Sequence, residues 1–317
     1  MVDTVLCRMQ DDALWPCFRN NWQNTGTSTI RANYIGKKPW MFQTGKGIFS
    51  TPVIDRDGHI YVGSADHWFY ALEPDGSVKW QMKAGELIDS AGVLGYLGDD
   101  EIPVVIVPSG DGYLYCLKCE TGEIMWKFEA ELTPETSYNR WWEANASIGP
   151  DGTIYAGNTN FNYYAVRPDG TQKWNYATDS NAWSAAAFSV DDSIIWGSVD
   201  SFVHCVNMDG SSKWKKRTLG FISSSAVISQ EGVAYIGSFD SSLYALDVEN
   251  GRTQQKPRDD VARDRRELET HRELAAHESR QQKRPDTEYQ VAVQQVPRAY
   301  ERFKDDVHRG SRAESRA

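Results

Sequence analysis

The sequence predicts an all-β fold, a β-propeller of four-stranded antiparallel blades, and two observations lead to this prediction. The first is a turn that returns almost unchanged, as EPDGSVKW at 73–80, RPDGTQKW at 167–174 and NMDGSSKW at 207–214. The second is a spacing of ten residues between a tryptophan and a serine, which holds for Trp40 and Ser50, Trp80 and Ser90, Trp174 and Ser184, and Trp214 and Ser224. A repeat of about 40 residues is typical of propeller blades.

Each repeat is interpreted as four short strands. An apolar run comes first, as in TPVI from Thr51, AGVL from Ala91, ASIG from Ala146 and SAVI from Ser225. A glycine beside an acidic residue then predicts a tight hairpin turn, as in RDGHIYVGS, PDGTIYAGN and QEGVAYIGS. The third strand reads DHWFYAL, DGYLYCL, NFNYYAV, DSFVHCV and DSSLYAL in the successive repeats, and a PDG or ETG turn leads to the fourth.

The fourth strand ends in a tryptophan that we expect to cover the gap to the neighbouring blade. These blade-docking residues are Trp40, Trp80, Trp126, Trp174 and Trp214, of which Trp126 departs from the ten-residue spacing. Burying about 150 to 250 Å² of indole would contribute at most roughly 4 to 6 kcal/mol.

At this level of detail the sequence resembles the β-propellers built from pyrroloquinoline-quinone-type repeats. The resemblance rests on GSADHWFYALEPDGSVKW and SGDGYLYCLKCETGEIMW, and on the opening WPCFRNNWQNTG from Trp15, and it covers roughly 15–251. It implies the propeller fold but no single function, because the family includes quinone-dependent dehydrogenases, outer-membrane assembly lipoproteins of the BamB type and plain binding domains.

We therefore expect an N-terminal segment over 1–32, the propeller over 33–251 and a charged tail over 252–317. About five blades are present. The fifth lacks its tryptophan strand, whereas the strand around Trp40 has no blade before it, so the two could close a five-bladed ring. The alternative is a truncated copy of a larger ring.

The tail differs from the propeller in composition. The residues before Arg252 include 18 basic and 31 acidic side chains, whereas those from Arg252 onward include 16 basic and 13 acidic ones. The part from Arg252 onward also contains no Trp, Cys, Ile or Asn. We expect a low-order or partly helical appendage, or the product of an altered reading frame.

Charge and hydropathy exclude several classes of partner. The acidic propeller lacks the electrostatic footprint of a nucleic-acid binder. No apolar run approaches the roughly 18 residues of a transmembrane helix, and the N-terminus has no signal-peptide pattern. As written, we expect a monomer in the cytoplasm, or in the periplasm or outside the cell if the N-terminus is incomplete.

The loops between blades predict a ring of equivalent positions at the channel mouth. The candidate ligand-binding residues of this rim are Phe49, Asp89, Trp141, Trp142, Glu143 and Trp183. The segment ELTPETSYNRWW ends in two adjacent tryptophans, which form either an exposed recognition patch or a plug of the channel. The first alternative is considered because loops on rigid scaffolds commonly carry function.

Two functions follow as hypotheses. The first is a non-catalytic binding or scaffold domain, without a cofactor, that recognises a protein, peptide or glycan at the rim. The alternative, implied by the resemblance, is a quinoprotein dehydrogenase or its remnant, with pyrroloquinoline quinone and a calcium ion held by Glu143.

Other motifs favour structural roles. Cys116 and Cys119 form a single CxxC, but Cys116 and Cys205 align with alanines of other blades and are interpreted as core residues. Acidic or amide residues recur at one position, which predicts a turn-stabilising role: Asp66, Asp111, Asn160, Asp200 and Asp240. The histidines show no metal-ligand spacing, and no catalytic residue is assigned.

Overall fold

The computed structural model describes residues 6–28, 38–132 and 140–254, and these residues form an all-β unit. Antiparallel sheets of four strands repeat along the chain, which confirms the predicted fold class. The tail beyond Gln254 and the middle of the loop after Glu131 lie outside the described residues. Within the described part, no helix is long and apolar enough to cross a membrane.

Five sheets follow one another in chain order, and we call them blades 1 to 5. Blade 1 contains β2 (Val53–Ile54), β3 (Ile60–Gly63), β4 (Trp68–Leu72) and β5 (Val78–Lys83). Blade 2 contains β6 (Val93–Leu97), β7 (Ile102–Pro108), β8 (Tyr113–Lys118) and β9 (Ile124–Glu129), and β1 (Cys7–Met9) joins its inner edge. Blade 3 contains β10 (Ser147–Ile148), β11 (Ile154–Gly157), β12 (Asn162–Val166) and β13 (Gln172–Ala177). Blade 4 contains β14 (Ala187–Phe188), β15 (Ile194–Gly197), β16 (Phe202–Val206) and β17 (Ser212–Arg217). Blade 5 contains β18 (Val227–Ile228), β19 (Val233–Ser238) and β20 (Ser242–Asp247).

The hydrophobic core lies between blades rather than within one. Tyr61 and Phe69 of blade 1 belong to the same buried cluster as Val105 and Leu117 of blade 2. Each sheet presents side chains to both neighbours because alternate residues of a strand point to opposite faces. A blade therefore obtains its core only by stacking.

Each tryptophan of a fourth strand contacts a turn of the next blade. The indole nitrogen of Trp126 donates to the carbonyl of Pro168 over 2.9 Å, and a Cβ on Gly170 would lie 2.8 Å from the ring. Gly170 has a φ of +83°, so both its backbone conformation and the approach of the indole require glycine. The equivalent bonds join Trp40 to Pro74, Trp80 to Cys119, Trp174 to Met208 and Trp214 to Val248. The repeated turn is thus the surface on which the preceding tryptophan packs.

The N-terminal segment crosses the inner strands of four blades. Backbone N–H groups of Ile54, Leu94, Phe188 and Ile228 donate to carbonyls of Trp15, Pro16, Trp22 and Gln23, respectively. The four donors are equivalent, because each lies four residues after one of the repeated serines. The segment therefore occupies the middle of the propeller, where the sequence had predicted only that it precedes the first repeat.

The described residues do not form a closed five-bladed ring. β20 pairs with β19 on one side, and among the described residues its other side meets the short stretch around the bridge between Leu246 and Thr253. Trp40 lies against blade 1 without joining a strand of blade 5. The structure is that of a partial β-propeller.

Candidate functional site

The loops that lead from one blade to the next are held by a repeated backbone hydrogen bond. The carbonyl oxygens of Leu87, Trp141, Asn181 and Phe221 accept N–H bonds from the next blade, at Gly110, Thr159, Val199 and Phe239 over 2.9, 3.0, 2.9 and 3.0 Å. Because these loops are anchored at equivalent points, their side chains are presented in fixed positions.

Four of the predicted rim residues occupy equivalent positions. Asp89, Glu143 and Trp183 lie two residues after Leu87, Trp141 and Asn181, and Phe49 lies two residues after Gly47, whose carbonyl accepts the N–H of Ala65 over 2.9 Å. Phe49 is 57% exposed, whereas Asp89, Glu143 and Trp183 are half-buried. The Ser50 hydroxyl donates to the carbonyl of Ser90 over 3.0 Å, and these serines directly follow Phe49 and Asp89. The bond ties together the rim positions of blades 1 and 2.

The next pair of blades is tied in the same way. The Ser90 hydroxyl donates to the carbonyl of Trp142 over 3.2 Å, and Trp142 directly precedes Glu143. The rim positions of blades 1, 2 and 3 are therefore consecutive, with an aromatic ring followed by two carboxylates.

Trp142 was predicted at the rim, and its position corrects that prediction. It is fully buried, with its ring centroid 5.2 Å from that of Tyr164 and 6.0 Å from that of Phe128. A side chain without exposed surface cannot contact a partner. The signal was present in the sequence, because Trp142 occupies the position of the buried residues Ile88, Ala182 and Ile222, between the outward-facing neighbours 141 and 143.

Trp141 lies on the solvent side of the same loop and is half-buried. Its backbone N–H donates to the Thr159 hydroxyl over 2.8 Å, and Asn158 donates to the carbonyl of Arg140 over 2.9 Å. These two bonds fix the end of the loop on blade 3. The remainder of the predicted recognition segment, 133–139, lies outside the described residues.

The recurring acidic residues hold the rim loops to the blades, which confirms their predicted role at a turn. Asp66 accepts a bond from the backbone of Trp68 over 3.1 Å and from the Tyr70 hydroxyl over 2.8 Å, and it also accepts one from Gly45 in the preceding loop over 2.7 Å. Burial raises its pKa, but the hydrogen bonds from Gly45 and Tyr70 outweigh that effect and lower it. Asp111, Asp200 and Asp240 make the corresponding contacts.

One cluster in the described residues has the composition of a metal site, and it lies at a turn away from the rim. It contains Asp55, Asp57 and His59. Asp55 already accepts bonds from the His59 ring at 2.8 Å and the Tyr61 hydroxyl at 3.0 Å, and the Lys79 ammonium lies 3.2 Å from the other ring nitrogen. Asp55 therefore stabilises the turn through these hydrogen bonds, and the cation beside the turn is the Lys79 ammonium.

The rim residues fit a calcium-bound quinone poorly. Glu143 supplies one carboxylate, and a hard cation of this kind takes six to eight oxygen ligands. In the described residues, a group of three His, Asp or Glu side chains with closely spaced ligand atoms forms at the Asp55 turn and not around Glu143. The N-terminal segment also lies along the inner strands of blades 1, 2, 4 and 5.

The CxxC sequence does not form a reactive pair. Cys116 and Cys119 are buried free thiols. Burial raises the pKa of Cys119 to about 12, so its thiolate population at neutral pH is negligible.

Comparison with known proteins agrees with the geometry. The profile of the family described as "Outer membrane protein assembly factor BamB" matches 25–257. No curated protein matches the sequence.

Among solved structures, BamB from Moraxella catarrhalis is 15% identical with a TM-score of 0.56, over 82% of this chain and 71% of that one. The quinohemoprotein alcohol dehydrogenase ADHIIG from Pseudomonas putida HK5 is 14% identical with a TM-score of 0.64, over 77% of this chain and 48% of that one. The quinohemoprotein alcohol dehydrogenase from Comamonas testosteroni is 14% identical with a TM-score of 0.61, over 76% and 48%.

The chain spans about half the length of these dehydrogenases. At such low identities the structural likeness shows the fold alone. The family profile covers most of the chain, and the chain therefore belongs to the BamB-like family of propellers with pyrroloquinoline-quinone-type repeats.

Proposed function

We propose that this protein is a non-catalytic propeller that binds a protein partner at the rim formed by Phe49, Asp89, Trp141, Glu143 and Trp183. The observation that supports this most directly is the combination of aromatic rings and carboxylates at equivalent positions of anchored loops. Rigid aromatic side chains contribute much binding energy for little loss of conformational entropy.

The chemistry of the partner follows from the same residues. Asp89 and Glu143 lie on adjacent blades, and the residues before Arg252 carry 31 acidic against 18 basic side chains. This charge favours a partner segment with lysine or arginine beside apolar residues, and it steers their encounter. The family's description in terms of protein assembly supports a protein or peptide over a glycan.

The alternative of a quinoprotein dehydrogenase has the support of the fold, since the dehydrogenases above share it. It has less support from the residues, because in the described part of the chain no group of three His, Cys, Asp or Glu ligand atoms forms around Glu143.

The test uses peptide display, because the partner is unidentified. A library of displayed basic and aromatic peptides is selected on the wild-type protein. The triple variant Phe49→Ala, Trp141→Ala, Trp183→Ala is expected to lose at least tenfold in affinity for the selected peptides. The matched control is Val190→Ala, a residue that is 87% exposed at the turn between β14 and β15, and it should bind as the wild type does.

Two results would contradict the proposal. Unchanged peptide affinity in the triple variant would exclude the rim as the binding surface. A change in visible absorbance when pyrroloquinoline quinone and calcium chloride are added to the purified protein would support the dehydrogenase instead.

A further inference from the structure

Blade 5 presents to solvent the face that every other blade buries. Leu243 on β20 is 74% exposed and Tyr235 on β19 is 40% exposed. The residues at the same two positions in blades 1 to 4 are almost fully buried. At the position of Leu243 these are Phe69, Leu114, Tyr163 and Val203. At the position of Tyr235 they are Tyr61, Ile106, Tyr155 and Ile195. In blades 1 to 4 this face is covered by the next blade.

The segment around Trp40 has the contacts of a fourth strand with the next blade but has no third strand beside it in the described residues. It contacts blade 1 in the way that the fourth strand of any blade contacts the blade after it. The Trp40 indole donates to the carbonyl of Pro74, and the Phe42 ring packs edge-on against Tyr70 at a centroid distance of 5.0 Å. Trp126 and Phe128 make the same two contacts with blade 3, where Phe128 lies 5.6 Å from Tyr164.

The correspondence extends to the loop that follows. Gly45, five residues after Trp40, donates to Asp66, as Gly85, five residues after Trp80, donates to Asp111. In blades 1 to 4, the strand that carries such a tryptophan is hydrogen-bonded to the third strand of its own blade. Among the described residues, the backbone around Trp40 pairs with no strand.

We propose that two copies of this chain complete each other, with the Trp40 segment of one copy serving as the fourth strand of blade 5 in the other. The registers of blades 1 to 4 fix the pairing. Ala71 lies opposite Trp80 and Phe69 opposite Met82, so Ala245 should lie opposite Trp40 and Leu243 opposite Phe42. The apolar face of blade 5 then packs against blade 1 of the other copy, as each blade packs against the next.

In the described residues, the chain's own contacts with the edge of β20 reach as far as Ala245. The backbone N–H of Gln254 donates to the carbonyl of Ala245 over 2.9 Å, which is the last contact of that strand in the described residues. The sequence continues as Gln255, Lys256 and Pro257, which provides no indole at the docking position and no N–H at the proline. The Trp40 segment provides the indole.

The geometry favours a second copy over closure within one chain. Trp40 and Gly45 are fixed on blade 1 by the bonds above, while Leu243 on the same chain remains exposed. The contact is head-to-tail, so it generates dimers and longer assemblies unless the ring closes. This proposal differs from the sequence-based prediction of a monomer.

Cysteine cross-linking tests the predicted register. Gln43 and Ser242 are both exposed and lie opposite each other in it, and the five native cysteines are buried. A mixture of the single variants Gln43→Cys and Ser242→Cys should give a disulfide-linked dimer under mild oxidation. A mixture of Gln43→Cys and Val190→Cys is the control and should give at most a tenth of that yield.

The double variant separates the two kinds of closure. If Gln43→Cys, Ser242→Cys forms an internal disulfide while the mixed single variants stay monomeric, the ring closes within one chain and the proposal is wrong. The absence of any cross-link in both preparations would also overturn it, since blade 5 would then have another covering.

Sedimentation velocity gives an independent measure on the unmodified chain. The wild type should show a concentration-dependent increase in mean mass, and Leu243→Glu should raise the dissociation constant at least tenfold. Val190→Glu adds the same charge at an exposed site and should leave the mass distribution unchanged. A wild type that remains monomeric at all concentrations would contradict the proposal.

Discussion

A single carboxylate fastens the preceding loop to blades 1, 2, 4 and 5. Asp240 accepts the backbone N–H of Ser242 at 3.0 Å, the Tyr244 hydroxyl at 2.7 Å and the backbone N–H of Leu219 at 2.9 Å. The last of these donors belongs to the loop between blades 4 and 5. The residue therefore connects the turn geometry of blade 5 to the position of the loop that precedes it.

The titration of Asp240 gives a testable pH dependence. The Tyr244 hydroxyl, followed by the backbone donors, lowers the pKa of this carboxyl to about 2, below the usual 3.8. A lowered pKa means that the ionised form stabilises the fold above about pH 4, and that this contribution disappears as the pH falls through 2. We expect Asp240→Asn to be less stable than the wild type at pH 7 and to lose less stability between pH 4 and pH 2.

Urea unfolding followed by circular dichroism at pH 7, 4 and 2.5 measures this difference. Asp99→Asn is the control, because Asp99 is an exposed carboxylate at the turn between β6 and β7. Parallel pH profiles for Asp240→Asn and the wild type would show that the charge is not what holds the loop. Asn160, which occupies the equivalent position in blade 3, shows that the amide is compatible with the fold.

At the scale of elements, the N-terminal segment resolves the problem of unpaired inner edges. The inner strands of the blades are short, and their outer neighbours satisfy only one side of each. Backbone groups left without partners in the middle of the molecule would be costly to bury. By accepting bonds from blades 1, 2, 4 and 5, the segment satisfies these groups and ties non-adjacent blades together.

Asn24 is the most informative residue of this segment. It is buried, and its amide nitrogen donates to the carbonyls of Ala186 over 3.0 Å and Ala226 over 3.1 Å. Asn24→Ala leaves two buried carbonyls without that donor, so we expect a loss of about 1 to 3 kcal/mol in the free energy of unfolding. Asn21→Ala, which removes two exposed bonds between the Asn21 side chain and Thr25, should lose under about 0.5 kcal/mol in the same denaturant titration. Equal losses of unfolding free energy in the two variants would mean that the Asn24 bonds to blades 4 and 5 do not stabilise the fold more than an exposed bond does.

The sequence predicts the elements that repeat and not those that occur once. The tryptophan, the turn glycine and the serine each face the same contact in every blade, so their periodicity reveals the blades and their order. The path of the N-terminal segment has no periodic signal, because it depends on backbone bonds that any residue can accept. Trp142 lies between these cases, since aligning it with Ile88 and Ile222 reveals its burial, whereas its residue type suggests recognition.

At the scale of the whole molecule, stability depends on nearest-neighbour contacts between stacked blades. Blades 2, 3 and 4 have a neighbour on each face, and their central strands are buried. Blade 5 packs against blade 4 through residues such as Ile222 and Ile236 and exposes its other face. In such quasi-one-dimensional architectures, a unit with one interface opens more easily than a unit with two.

Native-state hydrogen exchange on dilute protein tests this gradient. We expect amides of β19 and β20 to exchange at least tenfold faster than those of β15 and β16, which hold the same places in blade 4. Within blade 5, β18 should exchange more slowly than β20, because the backbone N–H of Ile228 is bonded to Gln23 of the N-terminal segment. Raising the protein concentration should slow β20 selectively if the edge is covered by a second copy, and should leave β16 unchanged. Uniform protection across the five blades at low concentration would show that the molecule opens as one cooperative unit and that the exposed face of blade 5 has no energetic consequence.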